Sequence, residues 1–227
     1  MNILVLGKGK TGALVAEIAR ERGHGVRAVA SADNAGGAAI TAQALSNTDV
    51  VIDFTTPHTI ISNIEACARA GTAMVVGTTG WYDQMDHVRE VVKRYDVGFV
   101  FGANFSVGVN LFLDVMKAAA PALKLGFSGQ MVERHHAEKK DKPSGTAVAI
   151  NNILREGSGV AVEIESAREG SIVGEHELRL ESENDVVLLA HSAKSRRGFA
   201  EGAVKAAEWI QNNRGFYDFK DVWRELR

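Results

Sequence analysis

The sequence predicts an α/β protein in two parts: a parallel-sheet domain, then an α+β domain with a mixed or antiparallel sheet. Three observations carry this. Up to Asn104, short apolar runs alternate with segments of helical periodicity, the order that yields a parallel sheet covered on both faces. A G-x-G-x-x-G turn joins the first apolar run to the first helical segment. Beyond Asn104 the pattern changes to helix candidates followed by extended runs of period two.

Ile3 to Leu6 is the first strand, ended by Gly7, and Thr11 to Arg22 is the first helix, with Leu14, Val15, Ile18 and Ala19 at helical spacing before Gly23. Val26–Ala30, Val50–Phe54, Met74–Val76 and Val97–Phe101 follow as strands, with helices at Ile60–Ala70 and Tyr82–Tyr95. The second part offers helices at Val107–Ala119 and Ala147–Leu154 and extended segments at Val162–Ser166, His176–Glu181 and Val186–His191. HELRLE alternates strictly, and the polar Ser182–Asp185 suits a hairpin turn. Phe199 to Gln211 is a last helix. The domain expectation is 1–104, then 105–197, with a C-terminal helical segment at about 198–227 returning to the first domain.

With 227 residues, 45% hydrophobic and 24% charged, the chain can bury a substantial core. The 26 basic and 28 acidic residues nearly cancel, so no global charge points to nucleic acid or an anionic membrane. The single cysteine, Cys67, rules out an internal disulfide and sits in a helical, apolar context that makes it a small core residue. The first residues begin a strand pattern directly, without a charged leader or a long apolar stretch, and the expectation is a cytoplasmic protein.

The turn GKGKTG places Gly7, Gly9 and Gly12 at dinucleotide-binding spacing between strand and helix, where main-chain N–H groups and the helix dipole hold a pyrophosphate. The alternative is a tight turn with no nucleotide. Lys8, Lys10 and Thr11 lie within it, near any phosphate. Asp33, shortly after the second strand, is the candidate acid for the ribose hydroxyls, or else a solvent-facing turn residue. No arginine follows that strand directly, so a 2′-phosphate clamp is not evident and NADH is expected to serve at least as well as NADPH. Two further loops fall at the carboxyl edge of the sheet: Gly77, Thr78 and Thr79 of GTTG, and Gly102, Ala103, Asn104 and Phe105 of GANFSVG. Small residues there let a nicotinamide approach the main chain, and the second loop is a plausible hinge.

The densest chemistry lies in ERHHAEKKDKPSGTA, Glu133 to Ala147. Adjacent histidines His135 and His136 point in different directions in any regular conformation, so they have different jobs. The acidic neighbours Glu133, Glu138 and Asp141 raise the question of a metal. Neither an i, i+4 histidine pair nor a cysteine set is present, and no metal is expected. Ser144-Gly145-Thr146 stands where a helix begins, so a hydroxyl can cap it and its N–H groups can accept an anion. Lys139 adds positive charge suited to a carboxylate.

This string resembles the signature E-x-H-H-x-x-K-x-D-x-P-S-G-T-A of the 4-hydroxy-tetrahydrodipicolinate (dihydrodipicolinate) reductase family of the diaminopimelate route to lysine. The resemblance extends to GTTGW, ANFSVGVNLF, REGSIVGEHE and SRRGFAEGAVKAAEWI, and so to nearly the whole chain. It implies an N-terminal Rossmann domain, a C-terminal substrate and tetramerisation domain, NADH or NADPH as cofactor, and a dicarboxylate substrate. It also implies His135 as proton donor or acceptor, Lys139 as proton donor, His136, Gly145 and Thr146 as substrate-binding, and Arg196 near the substrate. Two stretches depart from the family pattern: Lys10-Thr11 replaces its Arg-Met, and Ser31-Ala32-Asp33 replaces its readers after the second strand.

The expected reaction suits these residue types. Hydride added to a ring carbon of a conjugated cyclic imine drives electrons to the ring nitrogen, and the enamine formed is then protonated at carbon. A site for it needs a hydride donor, a proton source and cations for two carboxylates. Two rivals remain from the residues alone: another two-domain dehydrogenase acting on an amino-acid-derived substrate, which would lack HHxxKxDxPSGT, and a nucleotide sensor without turnover, which would not need His135 and Lys139.

Overall fold

The computed structural model describes residues 1–226, except for the side chains of 35 and 36. It divides into two compact units, Met1–Val107 with Arg197–Arg227, and Gly108–Arg196. The last residue, Arg227, at the end of the expected C-terminal segment, lies outside the described residues.

In the first unit, β1 (Asn2–Leu6), β2 (Gly25–Val29), β3 (Val50–Asp53), β4 (Ala73–Val76) and β5 (Gly98–Phe101) are joined by β10 (Gly215–Asp218) near the end of the chain. The sheet order is β10-β5-β4-β3-β1-β2, and every pairing is parallel. Both faces are buried, as such a sheet requires. Ile3, Val5, Ile52, Val75 and Val100 pack with Val15, Ile18 and Ala19 of α1 (Lys10–Glu21) and Ala203, Val204 and Ala207 of α7 (Arg197–Ile210). Leu4, Leu6, Val51, Met74, Val76 and Phe99 pack on the other face with Ile64 and Cys67 of α3 (Ile60–Arg69) and Val88 and Val92 of α4 (Met85–Tyr95). Small residues let α7 come close: a Cβ on Gly202 would stand 1.7 Å from the Phe105 carbonyl oxygen. The order reverses at β1, with β2 on one side and β3 on the other, so a crevice opens at the carboxyl ends of β1 and β3.

The second unit holds most of α5 (Val107–Ala119), then β6 (Ser128–His135), α6 (Gly145–Ser158), β7 (Glu163–Arg168), β8 (Glu175–Glu181) and β9 (Val186–Ser192). Its sheet order is β7-β6-β8-β9, with β6 parallel to β7 and antiparallel to β8, and β9 antiparallel to β8. One face carries the core: Met131, Leu178 and Leu180 pack with Phe112 and Met116 of α5 and Ile150 and Leu154 of α6. Further along the same face, alternation along β6 and β8 brings Glu133, His135 and His176 inward, all buried.

Strands β6 and β10 and the short helices α2 (Ala42–Leu45) and α8 (Phe219–Val222) are absent from the sequence expectation. The inward residues of β6 change from Met131 to Glu133 and His135, which hides the hydrophobic alternation. With four residues each, β10 and the two helices give almost no periodicity to read. Among the described residues, no helix is long and apolar enough to cross a membrane.

Candidate active site

The glycine turn of the first unit is fixed by sterics at two of its three glycines. Gly7 has φ +99°, and a Cβ there would stand 2.2 Å from the Phe54 carbonyl oxygen. A Cβ on Gly12 would stand 2.0 Å from the Gly7 oxygen, while one on Gly9 would meet nothing within 4 Å. Gly7 and Gly12 therefore build the turn, and Gly9 keeps its outer surface open. Helix α1 begins here without a side-chain cap or an acidic residue in its first turn, leaving its N-terminal N–H groups and dipole facing the crevice. A cleft of roughly 290 Å³ is lined by Gly9, Lys10, Thr11, Gly12, Phe54, Thr55, Pro57, Gly77, Thr78 and Thr79. This cradle, open at Gly9 and positive at the helix start, fits the pyrophosphate of a nicotinamide dinucleotide.

The remaining cofactor candidates stand outside that lining. Lys8 is exposed in the turn beside Gly9, and Asp33 is exposed in a 3₁₀ segment, Ser31–Gly37. Gly102 is buried, Ala103 is exposed, and the Asn104 side chain accepts the Ser106 N–H at 2.9 Å. Phe105 is a core residue, edge-on to Phe54 and packed on Phe219, so only its main chain is available to a ligand.

Beneath the cleft lies a network that the sequence reading missed. Asp53, wholly buried at the end of β3, accepts from the Thr55 N–H (2.9 Å), the Thr55 and Thr78 hydroxyls (2.7 and 2.8 Å) and the Asn63 amide (2.8 Å). Asn63 in turn accepts from Asn34 at 3.1 Å, and Asn34 accepts the Ala39 N–H at 3.1 Å. Burial pushes the Asp53 carboxyl above its usual range, although the hydrogen bonds pull the other way. The Thr78 side chain is thus committed to the scaffold. Gly77 makes room for the Phe54 ring, which a Cβ would meet at 2.1 Å.

In the second unit the Glu133–Ala147 window forms the end of β6, a loop and the start of α6. His135 Nδ1 is hydrogen-bonded to Glu133 Oε2. Glu133 Oε1 accepts from Arg168 Nη2 at 2.7 Å and from the Ser144 N–H at 3.3 Å. Arg168, opposite His135 on β7, also donates to the Asp141 carbonyl at 2.5 Å, holding the loop that carries Lys139. Lys139 donates to both Asp141 oxygens, at 2.7 and 2.8 Å. Ser144 caps α6 by accepting the Ala147 N–H at 3.2 Å, and its hydroxyl lies 3.0 Å from His176 Nε2. Gly145 and Thr146 are the first residues of α6, and a Cβ on Gly145 would meet nothing within 4 Å. Arg196 donates to His136 Nε2 at 3.4 Å, which pairs those two apart from His135.

Charge organises the cluster. Burial works to raise the Glu133 carboxyl, but hydrogen bonds from Arg168, Ser166 and His135 pull it below the ordinary carboxylate range. His135 is held below the usual histidine range by burial, against the pull of Glu133 and with help from Lys139 and Arg168. His176 is pushed down to about 4, chiefly by burial, then by His135 and His191.

Glu133, His135 and His176 could offer ligand atoms within 4.8 Å of one another. Glu133 is already bonded through both oxygens, His135 through Nδ1 and His176 through Nε2, and the Arg168 guanidinium adds a positive charge, so the set suits proton chemistry better than a cation. Glu133, Arg168 and His176 are the buried neighbours of the site candidates whose contacts sequence reasoning missed. The available signal was period two, which puts Glu133 and His135 on one face of β6 and sets His176 opposite Glu133 on β8.

With both sites in place, comparison decides the family. The N-terminal family model of dihydrodipicolinate reductase matches residues 1–105 and the C-terminal one residues 108–223. The chain belongs to the dihydrodipicolinate reductase family. It is 35% identical over 242 residues to the 4-hydroxy-tetrahydrodipicolinate reductase of Christiangramia forsetii, covering 100% of this chain and 99% of the relative. It is 36% identical over 248 residues to that of Natronomonas pharaonis, covering 98% and 100%. A dipicolinate-bound dihydrodipicolinate reductase from Paenisporosarcina sp. TG-14 shares the fold, with a TM-score of 0.82 at 18% identity over 98% of this chain and 99% of that one. The activity that goes with the family is that of an NAD(P)H-dependent oxidoreductase.

Proposed function

We propose that the chain reduces 4-hydroxy-tetrahydrodipicolinate, by way of dihydrodipicolinate, to tetrahydrodipicolinate in diaminopimelate and lysine biosynthesis, the first unit holding NADH or NADPH and the second supplying proton and carboxylate contacts. The observation that carries it is the grouping, within one unit, of His135 on a buried carboxylate, Lys139 on the next loop and the N-terminus of α6.

A bound nicotinamide nucleotide supplies the hydride. Gly9, Lys10, Thr11 and Gly12 receive its pyrophosphate at the start of α1, with Lys8 at the rim; Gly7 shapes the turn; and Gly77, Thr78 and Thr79 form the opposite wall; the Gly102–Phe105 main chain, outside that lining, takes the nicotinamide end. Asp33 takes the ribose hydroxyls. With an acid and no arginine at that point, NADH is used at least as well as NADPH.

Gly145 and Thr146 N–H groups bind one substrate carboxylate, with Ser144 fixing the helix start, and His136 with Arg196 binds the other. Lys139 supplies charge and a proton. His135, neutral there because burial holds its pKa down, exchanges a proton at Nε2 while Nδ1 stays with Glu133. Together these groups protonate the enamine carbon and keep both carboxylates in register.

We further propose a homotetramer assembled through the sheet of the second unit. Its outer strand, β9, exposes Val186 (48%), Val187 (40%) and Leu188 (59%), an apolar run at a sheet edge that association would cover. A cytoplasmic location suits the biosynthetic role.

The test is a coupled assay in which the product of the preceding synthase is supplied with NADH or NADPH and loss of nicotinamide absorbance is followed. Turnover is expected with both. A folded protein that turns over with neither contradicts the proposal.

A further inference from the structure

We infer that Glu133 is the positioning residue of the second unit's site, fixing which nitrogen of His135 exchanges a proton and, through Ser144, where the anion-binding start of α6 stands. The inference rests on the roles of His135 and α6 proposed above. Glu133 is wholly buried, and both of its oxygens are engaged: Oε2 by His135 Nδ1, Oε1 by Arg168 Nη2 at 2.7 Å and the Ser144 N–H at 3.3 Å. One carboxylate therefore joins the acid–base group, the helix N-terminus and a buried cation. The Arg168 side chain, 6% exposed, supplies the charge that lets Glu133 remain ionised in the interior.

An ionised carboxylate has no proton to donate, so the proton it shares with His135 belongs to Nδ1. Nε2 is left as the working nitrogen. Gly174 keeps that side of the ring uncovered: a Cβ there would stand 3.0 Å from Nε2 and 3.3 Å from Cδ2. Besides Glu133, the titratable groups facing His135 are Lys139 from the loop, itself bonded to Asp141, Arg168 from β7 and His176 from β8, whose ring centroid is 5.3 Å away. Glu133 raises the His135 pKa, whereas Lys139 and Arg168 lower it.

These neighbours give two substitutions opposite effects. In Glu133→Gln, Arg168 admits only the amide oxygen beside it, because two donors would otherwise face each other. The amide NH₂ is then turned to His135, donates to Nδ1, and forces the proton to Nε2. In Arg168→Gln the carboxylate stays on His135 while a nearby cation is lost. A side chain that merely fills space would move neither the tautomer nor the titration midpoint.

The experiment is long-range ¹H–¹⁵N spectroscopy of the full chain labelled at histidine, with the His135 resonance assigned by its loss in His135→Gln, alongside steady-state kinetics. The parent should show the Nδ1–H tautomer at neutral pH. Glu133→Gln should convert it to Nε2–H, lower its midpoint and reduce kcat on the order of 10²-fold, with KM for the nicotinamide nucleotide within about twofold. Arg168→Gln should raise the midpoint. An Nε2–H tautomer in the parent, midpoints that move the same way in both variants, or undiminished turnover in Glu133→Gln would each overturn the inference. The parent's tautomer requires no turnover, and it is read whether or not the Glu133 and Arg168 variants fold. A parent inactive in the coupled assay would instead reject the proposed reaction, and the tautomer would still decide how His135 is held.

Discussion

Among the described residues each unit buries one carboxylate completely, Asp53 in the first and Glu133 in the second, and the two are treated in opposite ways. Asp53 is surrounded by neutral donors, and burial pushes its pKa up; Glu133 has a guanidinium and an imidazole as partners, and its pKa is pulled down. The neutral network runs through Asn63 and Asn34 to the Ala39 N–H, so Asp53 braces the segment after β2 against the end of β3. The charged network ends on His135 and on the capped start of α6. Buried carboxylates of the same chemistry thus stay within a neutral brace or anchor a charged cluster according to the charge of their partners.

The sharpest way to break this comparison is to neutralise both acids by isosteric amides. Glu133→Gln should cost about 10² in kcat, as above, whereas Asp53→Asn should keep kcat within a few-fold. Asp53→Asn sets an amide NH₂ against that of Asn63 and should lower unfolding free energy by ~1–2 kcal/mol in urea. If Asp53→Asn abolishes turnover while folding and nucleotide binding are intact, Asp53 is no brace.

A smaller effect is expected inside the glycine turn. Gly12→Ala drives a Cβ to 2.0 Å from the Gly7 oxygen and should destabilise the fold, while Gly9→Ala meets nothing within 4 Å. Gly9→Ala should therefore keep the parent melting temperature and still weaken NADH binding about tenfold or more, because only a bound pyrophosphate occupies that space. Calorimetry and NADH titration of the two variants separate turn-building from ligand contact. Equal binding by Gly9→Ala and the parent would remove the pyrophosphate from this turn.

The mildest test is acid. His176 is held down to about 4 in the fold, and Glu133 is also lowered, so the unfolded chain binds more protons as pH falls. The stabilisation from His176 is complete above the ordinary histidine pKa of ~6.5 and is lost on the way down to about 4, with ~3 kcal/mol as its ceiling, whereas that from Glu133 is lost only below the ordinary carboxylate range. The raised pKa of Asp53 has the opposite sign and favours the fold as acid is added. Hydrogen exchange at mildly acidic pH should show β6 and β8 losing protection before β1 and β3. The reverse order would contradict the assigned shifts.

Much of this was legible in the sequence because both units announce themselves by periodicity. The parallel strands are continuous apolar runs, the glycine turn has its spacing, and HELRLE alternates. The site was legible only in its linear part. Glu133 lies in the window, but its role depends on Arg168, 35 residues away, and Ser144 is joined to His176 across 32 residues. Strand pairing makes those contacts, setting Glu133 opposite His176 and His135 opposite Arg168, and a one-residue change of register would undo both. The Asp53 network was invisible for the same reason: Asn34, Asn63 and Thr78 converge from three separate segments.

The central claim is a division of labour, with the first unit holding the nicotinamide nucleotide and the second carrying the proton chemistry. Steady-state kinetics of His135→Gln beside a direct NADH titration of the same folded sample tests it most directly. The account predicts a fall in kcat on the order of 10² to 10⁴ with NADH affinity unchanged within about twofold. Turnover equal to the parent, or NADH affinity lost in step with activity, would contradict it.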